Sequence, residues 1–319
     1  MEKTTLGRTN LNVTVAGLGC GGHSQLGIKK YGLDHAADIV RAAYDGGVNF
    51  FDTAVVYGTQ GAVGKGLAGI PRTSYVLSTK FPYQNRTASE LEASLEESLK
   101  ELNTDYIDIY HLHGVAPEDY TAVKNNLVPA MLKAQQAGKI RFLGITEVFG
   151  RDMAHAMFGA ALADGIFDVI MTGYNILNPS AAKVVLPAAI EKNIGVLCMF
   201  AVRSALSNPA QLEIDINRIV AAGQAGPALK EALAVLESAH KSKREILDFL
   251  VHSGVGASIM EASYRFCRHT KGIHVTLTGT GSEAHLKDNL ASIQGERLSD
   301  EILAKLEALF GNVNCISGQ

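Results

Sequence analysis

The chain alternates between strand-like and helix-like segments almost from end to end, and this alternation limits its possible folds more than any other feature. Short runs of β-favouring residues, such as Val48–Asp52 and Tyr75–Lys80, alternate with amphipathic segments such as Thr87–Leu102, whose leucines share one helical face. About eight such β–α steps fit along the chain. Strands that alternate with helices pair in parallel through right-handed crossovers, so the sequence predicts an α/β protein with a parallel sheet.

The number of β–α steps favours a closed barrel over an open sheet. Eight steps within one domain-sized chain of 319 residues are typical of the (β/α)8 or TIM barrel. An open dinucleotide-binding sheet is expected to carry GxGxxG directly between its first strand and first helix. Gly17–Gly22 reads GLGCGG, which has a different spacing, and no helix follows at once. We therefore predict a single barrel domain over residues 1–319.

Two segments lie outside the eightfold pattern. Lys3–Val13, with a turn at Gly7–Asn10, is predicted to form a hairpin that closes the bottom of the barrel. Residues 203–256 form a long insertion after the seventh barrel strand and contain the amphipathic stretches Gln211–Ala222 and Ala228–His240. Long loops that follow barrel strands lie on the catalytic face, so we expect these helices to pack over the barrel mouth and to select the substrate.

Composition and charge exclude several classes of partner. The formal net charge of −3 gives no overall field that would attract nucleic acid or an anionic membrane. The four cysteines are widely separated and form no zinc-type pattern, so no metal site is predicted. The opening residues MEKTTLGRTN lack the apolar run of a signal peptide, and no stretch approaches the ~20 apolar residues of a membrane span. A cytoplasmic protein with free thiols is expected.

Four ionisable residues lie at or just after the ends of three consecutive predicted strands. Asp52 ends the second strand and Tyr57 follows it, Lys80 ends the third strand, and His113 ends the fourth. The carboxyl ends of barrel strands meet at one face, so these side chains can converge. Taken singly, each has an ordinary structural explanation, such as a capping aspartate or a core histidine. Their coincidence at neighbouring strand ends favours a shared catalytic site.

The four side chains together suit proton transfer to a carbonyl oxygen. A phenol has an ordinary pKa of ~10, and an ammonium beside it favours the phenolate. Asp52 would pair with Lys80 and hold it beside Tyr57, while His113 would donate a hydrogen bond to the substrate oxygen. Tyr57 could then act as a general acid during reduction or as a general base during oxidation.

The motifs around these residues resemble the aldo-keto reductase family over nearly the whole chain. The resemblance is carried by LGRTNLNVTVAGLG, NFFDTAVVYG, VLSTKF, DYIDIYHLHG, GKIRFLGIT and TLTGTGSEAHLKDNLAS. It implies an NAD(P)-dependent oxidoreductase of a small carbonyl or sugar, with Asp52, Tyr57, Lys80 and His113 as catalytic residues. The final LH of the fourth-strand motif selects His113 rather than His111. Within the family, the chain is most similar to the branch of L-galactose and D-threo-aldose dehydrogenases.

The same resemblance implies a nicotinamide cofactor extended across the top of the barrel. Its diphosphate and adenosine end would meet the segment after the last strand and the following helix, whose N-terminus favours anions. The residues that the resemblance assigns to the cofactor are Gly22, Thr146, Glu147, Met171, Phe200, Gly279, Thr280, Gly281, Ser282, His285 and Asn289.

Some of these positions depart from the family pattern around the nicotinamide ring. Thr146 and Glu147 stand where the family usually has a Ser-Asn pair, and an ionised Glu147 can accept but cannot donate a hydrogen bond. Met171 replaces a glutamine that would contact the carboxamide. Phe200 is the candidate for the aromatic residue that stacks on nicotinamide, with Met199 beside it.

The positions expected to recognise a 2′-phosphate are also unusual. Members that prefer NADP usually carry Lys and Arg where this chain has Gly279 and His285, with Lys287 close by. A histidine is a weaker phosphate partner than an arginine. NAD and NADP both stay open, with NAD slightly favoured.

Two further functions stay open at this point. Lys80 could form a Schiff base with a carbonyl substrate in a barrel lyase. Some members of the family act as β subunits of potassium channels, so a non-enzymatic, cofactor-binding regulatory subunit is a third hypothesis. The expected partner in the leading hypothesis is a small carbonyl or sugar, with no nucleic acid and no membrane. The sequence makes no prediction of the oligomeric state.

Overall fold

An antiparallel hairpin opens the chain, and eight parallel strands then close into a barrel in the computed structural model, which describes residues 1–252 and 255–319. The hairpin consists of β1 (Lys3–Thr5) and β2 (Asn12–Thr14). The barrel strands are β3 (Ala16–Gly19), β4 (Phe50–Asp52), β5 (Val76–Pro82), β6 (Ile107–Val115), β7 (Ile140–Glu147), β8 (Val169–Gly173), β9 (Gly195–Met199) and β10 (Val275–Thr278). Each strand pairs with its neighbours in sequence and β10 pairs with β3, which confirms the predicted (β/α)8 barrel.

The hairpin closes the end of the barrel at which the strands begin. The backbone nitrogen of Arg8 donates to the carbonyl oxygen of Asn193, just before β9. A Cβ atom at Gly7 would lie 2.4 Å from the backbone nitrogen of Gly195, so this contact requires glycine. Leu6 and Val13 are fully buried in the apolar cluster that fills the barrel interior. The predicted plug at the barrel bottom is therefore present.

Helices connect the barrel strands and follow the last of them. Those between the strands as far as β9 are α1 (Ile28–Asp45), α2 (Gln60–Gly66), α3 (Ala88–Glu101), α4 (Tyr120–Gln136), α5 (Ala156–Asp164), α6 (Ala181–Val184) and α7 (Leu186–Glu191). Those after β9 are α8 (Ser204–Ser207), α9 (Pro209–Ala221), α10 (Pro227–Ser238), α11 (Phe249–His252), α12 (Ile259–Arg268), α13 (Glu283–Gln294) and α14 (Asp300–Phe310).

Two predicted helices differ from the observed ones for local reasons. The sequence pattern predicts one helix over Ser180–Lys192, but the structure divides it into α6 and α7, because Pro187 lies in the first turn of α7 and lacks the N–H that a continuous helix needs. The sequence also predicts a helix over Asp152–Ala163, which begins at Ala156 in the structure. His155 adopts a left-handed φ of 62°, and the Asp152 carboxylate accepts hydrogen bonds from the first two backbone N–H groups of α5.

The insertion after the seventh barrel strand builds a second hydrophobic core. Its helices α8 to α11 lie within the predicted segment 203–256. Leu212, Ile216 and Leu229 from the insertion pack in one cluster with Leu306 and Phe310 of α14. The insertion is thus anchored to the last helix of the chain.

Among the described residues, no helix combines the length and the apolar character needed to cross a lipid bilayer.

Replacing Leu6 with alanine is expected to lower the free energy of unfolding by about 2–5 kcal/mol, because it leaves a cavity in the floor of the barrel. The matched control is Leu132→Ala on α4, where 42% of the leucine surface is exposed and a change within about 0.5 kcal/mol is expected. Chemical denaturation followed by far-ultraviolet circular dichroism measures both. Equal losses of unfolding free energy in the two variants would contradict the conclusion that Leu6 packs in the closed end of the barrel.

Candidate active site

Polar side chains replace the apolar filling of the barrel near the carboxyl ends of β4, β5 and β6. Asp52, Ser78 and His111 each lie two residues beyond a member of the interior apolar cluster and so face the same way. Strand register places Asp52 beside Ser78, and Lys80 beside His111. The preceding apolar residues on these strands are Phe50, Val76 and Ile109.

A buried ion pair joins β4 to β5 at this level. Lys80 Nζ donates to Asp52 Oδ2 and to the carbonyl oxygen of Thr53, both at 2.6 Å, and Ser78 Oγ donates to Asp52 Oδ1 at 2.7 Å. Burial acts to lower the pKa of Lys80, but the attraction of Asp52 and Tyr57 outweighs it and raises that pKa above its ordinary value. Lys80 is therefore an ammonium at neutral pH.

Tyr57 is held against this ion pair by a short 3₁₀ turn, Val55–Tyr57, that follows β4. The ammonium of Lys80 lies 5.0 Å from the centre of the phenol ring. A Cβ atom at Gly21 would lie 2.6 Å from Cε2 of the same ring, so the backbone of Gly21 packs directly on Tyr57. Burial raises the pKa of Tyr57, and the charge of Lys80 is the main influence that opposes the rise.

His113 is the histidine that meets Tyr57. Its Nε2 lies 3.3 Å from the Tyr57 hydroxyl, and the two rings are nearly perpendicular at 85°. Burial, reinforced by the charge of Lys80, lowers the pKa of His113 to about 3. The imidazole is thus neutral at neutral pH and can donate one hydrogen bond. His111 is fully buried and contacts Ser78 instead.

A cavity of about 180 Å³ lies beside Tyr57 at the same end of the barrel. It is smaller than the ~300–1,000 Å³ pockets that enclose whole ligands, so it could hold only one end of an extended ligand. None of the described residues from 204 to 256 lines it. Its walls are formed by Gly19, Gly21, Gly22, Asp52, Tyr57, Met171, Met199, Phe200, Ala201, Val202, Tyr264, Leu277, Thr278 and Gly279.

The loop after β10 leads from this cavity to the N-terminus of α13. A Cβ atom at Gly279 would lie 2.3 Å from the carbonyl oxygen of Gly19, and one at Gly281 would lie 2.7 Å from the nitrogen of Gly27. Both glycines therefore allow the loops after β3 and β10 to approach closely. Thr280 Oγ1 accepts from the Ser282 nitrogen, and Ser282 caps α13 by accepting from the His285 nitrogen.

The sequence model of the aldo/keto reductase family matches residues 18–310. The chain belongs to the aldo/keto reductase family. Its predicted membership is thus confirmed, and so is its class as an NAD(P)-dependent oxidoreductase.

Individual relatives of this family align with almost the full chain. L-galactose dehydrogenase of Arabidopsis thaliana is 28% identical in an alignment that covers 97% of this chain and 94% of the relative. Aldo-keto reductase YhdN of Bacillus subtilis is 26% identical in an alignment that covers 98% of this chain and 94% of that protein. The solved holo form of aldo-keto reductase AKR11C1 from Bacillus halodurans superposes with a TM-score of 0.71 at 22% identity, covering 96% of this chain and 95% of that one.

Where this chain departs from the aldo/keto reductase pattern on β7, the side chains take other partners. Thr146 faces the barrel interior, and its hydroxyl accepts from the Gly114 nitrogen at 2.7 Å. Glu147, the next residue, faces the opposite side of the strand. Its fully buried carboxylate meets His155 Nδ1 at 2.8 Å and accepts from Thr172 Oγ1 and the Gly173 nitrogen. Neither residue lines the cavity.

The wall on which a nicotinamide could rest is formed mainly by thioethers. Phe200 reaches the cavity, but the guanidinium of Arg203 lies 3.7 Å from its ring centre and Phe149 is stacked on it at 5.9 Å. The Phe200 ring is therefore already in contact with two other side chains. Met171 and Met199 line the same cavity, and a thioether packs favourably against an aromatic ring.

The predicted contacts at the adenosine end lie on α13. Asn289 Nδ2 donates to Thr278 Oγ1 at 2.9 Å, which ties the helix to β10. Lys287 pairs with Glu283 at 2.9 Å on the exposed face. His285 is exposed near the start of the helix. The glycine loop and the capped helix N-terminus fit the diphosphate of an extended dinucleotide, because free backbone N–H groups favour anions there.

Sequence reasoning missed two residues of the site. Gly21 had a usable signal, since a glycine in GCGG is typical of close backbone approach. Alternation along the strand places Ser78 on the same face as Lys80, but its contact with Asp52 was not predictable because it depends on the register between β4 and β5. Among residues 1–252 and 255–319, no group of three His, Cys, Asp or Glu side chains is arranged to hold a metal ion.

The lowered pKa of His113 predicts that its imidazole stays neutral from pH 9 down to pH 5, because protonation in the folded protein requires a pH near 3. Nuclear magnetic resonance of ring-labelled histidine, with His113→Asn to assign the signal, measures this directly. A His113 midpoint between pH 5 and pH 9 would contradict the buried, neutral assignment.

Proposed function

We propose that this enzyme transfers hydride between NAD(P) and a small aldose or hydroxy-aldehyde, with Tyr57 exchanging the proton. The observation that carries the proposal is the convergence of Tyr57, Lys80, Asp52 and His113 beside a cavity bounded by glycines. The buried ion pair supplies a fixed positive charge next to the phenol, and the neutral imidazole supplies a hydrogen-bond donor.

The proton chemistry follows from the positions of Tyr57 and His113. Their polar atoms lie 3.3 Å apart, so both can approach one substrate oxygen. During reduction Tyr57 donates its proton to that oxygen, and the nearby ammonium of Lys80 stabilises the phenolate that remains. During oxidation the phenolate accepts the hydroxyl proton. His113 stays neutral throughout and orients the oxygen by donating a hydrogen bond.

Residues around the cavity fit the two ends of a dinucleotide. Bound nicotinamide supplies or takes up the hydride. Met171, Met199 and Gly22 would surround its ring, and Gly279–Ser282 with the start of α13 would hold the diphosphate. NAD is the expected coenzyme, because His285 is a weak phosphate partner and the charge of Lys287 is already offset by Glu283.

The substrate class rests on the size of the site and on the relatives. The similarity to L-galactose dehydrogenase supports an aldose or another small hydroxy-aldehyde. Lys80 is poorly suited to forming a Schiff base, because it is fully buried, donates two hydrogen bonds and has a raised pKa. A lyase mechanism would need Lys80 as a free amine.

Tyr57→Phe is expected to reduce turnover by about 10²- to 10⁴-fold, because it removes the proton donor and acceptor while keeping the ring. Initial rates with NAD and NADP separately, in both directions, across aldoses and simple aldehydes measure the effect. Higher kcat/KM with NAD is expected.

The control is Tyr44→Phe. It removes a tyrosine hydroxyl that contacts Ser74 and does not line the cavity. Full turnover by Tyr57→Phe would refute the proposed proton path. Tight NADH binding without turnover of any carbonyl would favour the regulatory-subunit hypothesis instead. A clear preference for NADP would refute the interpretation of His285 and Lys287.

A further inference from the structure

The ion pair of Asp52 and Lys80 continues into the barrel through two side chains that the proposed proton transfer does not use. His111 Nε2 lies 3.1 Å from Ser78 Oγ, and Ser78 Oγ lies 2.7 Å from Asp52 Oδ1. All four side chains are buried, with Ser78, Lys80 and His111 fully buried. A continuous path of hydrogen bonds thus runs from His111 to Lys80.

The direction of these hydrogen bonds follows from the protonation of His111. Burial, together with the charge of Lys80, holds the pKa of His111 well below its ordinary value, so the ring is neutral and carries one proton. The Asp52 carboxylate can only accept a hydrogen bond, so the Ser78 hydroxyl uses its one proton to donate to Asp52 Oδ1. The proton therefore lies on Nε2, which donates to Ser78. The Ser78 hydroxyl then donates to Asp52.

We propose that His111 and Ser78 are positioning residues that hold Asp52 as an oriented carboxylate, and thereby keep Lys80 charged beside Tyr57. Every hydrogen bond along the path points toward Asp52, and donors in series strengthen one another in a buried site. The inference rests on the proposed function, since it concerns the same proton transfer.

The barrel makes room for His111 at one specific position. Gly144 on β7 lies beside His111 in the strand register. A Cβ atom at Gly144 would lie 2.2 Å from His111 Nδ1, so any other residue there would displace the ring. The glycine in LGIT is thus explained by the space that the imidazole needs.

The surrounding titratable groups leave the ion pair without another charged neighbour. Burial raises the pKa of the Cys20 thiol, and burial with Lys80 lowers the pKa of both nearby histidines, so all three groups are neutral at neutral pH. The titratable groups that face Asp52 and Lys80 are Cys20 after β3, Tyr57 after β4, and His111 and His113 on β6. Burial raises the pKa of Asp52, and the groups that oppose this rise are Lys80, through its charge and its hydrogen bond, and the Ser78 hydroxyl.

The expected pH effect has a definite sign. An Asp52 carboxylate that loses the Ser78 donor is held less firmly, so it fixes the ammonium of Lys80 beside Tyr57 less well. An ammonium that is not fixed beside Tyr57 stabilises its phenolate less, so the pKa of Tyr57 rises. Since oxidation requires the phenolate, the rise of kcat/KM with pH should move to higher pH.

The test compares Ser78→Ala, His111→Leu and His111→Gln in aldose oxidation between pH 6 and pH 10. The first two variants are expected to lose about tenfold in kcat/KM at neutral pH and to shift the profile upward. His111→Gln should retain most of the kcat/KM at neutral pH and most of the wild-type pH profile, because its amide can still donate to Ser78. The NADH dissociation constant, measured by cofactor fluorescence, should stay unchanged in all three.

The matched control is Thr276→Val, which removes a buried hydroxyl of barrel strand β10 that has no hydrogen-bond partner in residues 1–252 and 255–319. It should leave the profile unchanged. Unshifted profiles for Ser78→Ala and His111→Leu, in an enzyme that Tyr57→Phe inactivates, would overturn this inference and leave the proposed function standing. Equal losses in His111→Gln and His111→Leu would show that His111 only fills space. A wild-type enzyme without turnover would remove the proposed function, and this inference with it.

Discussion

The buried ion pair between Lys80 and Asp52 is the interaction on which the rest of the site depends. Two charges taken out of water are costly unless close contact and further hydrogen bonds compensate them. Here the compensation comes from the Thr53 carbonyl on the Lys80 side and from Ser78 on the Asp52 side. The barrel can supply these partners because adjacent parallel strands place their inward residues at fixed register.

The ion pair also explains why the neighbouring groups stay neutral. A permanent ammonium in a buried layer disfavours any second positive charge, which adds to the effect of burial on His111 and His113. His113 is thereby kept as a hydrogen-bond donor with no charge of its own. Tyr57 is left as the group whose proton can be exchanged, although burial makes its phenolate costly without Lys80.

Much of the fold and of the candidate site could be predicted from the sequence, and the features that could not be predicted have physical causes. The eightfold alternation predicts the barrel, and the four strand-end residues converge as expected because parallel strands share one carboxyl end. The path from His111 to Asp52 was not predictable, since it depends on the stagger between β5 and β6. The side of β7 on which Glu147 lies was not predictable from a motif match alone. Amphipathic stretches do not reveal their partner, so the core that the insertion shares with α14 was not predictable.

The most direct test of the central claim is the pH profile of kcat/KM for aldose oxidation in Lys80→Met, beside the neutral double variant Asp52→Asn/Lys80→Met. The double variant leaves no unpaired buried carboxylate, so its folding is not compromised by a lone charge. Both variants should need a higher pH than the wild type to reach the same fraction of their maximum rate, because the phenolate of Tyr57 loses the ammonium beside it. A profile that coincides with the wild type in both variants would contradict the claim that the ion pair activates Tyr57.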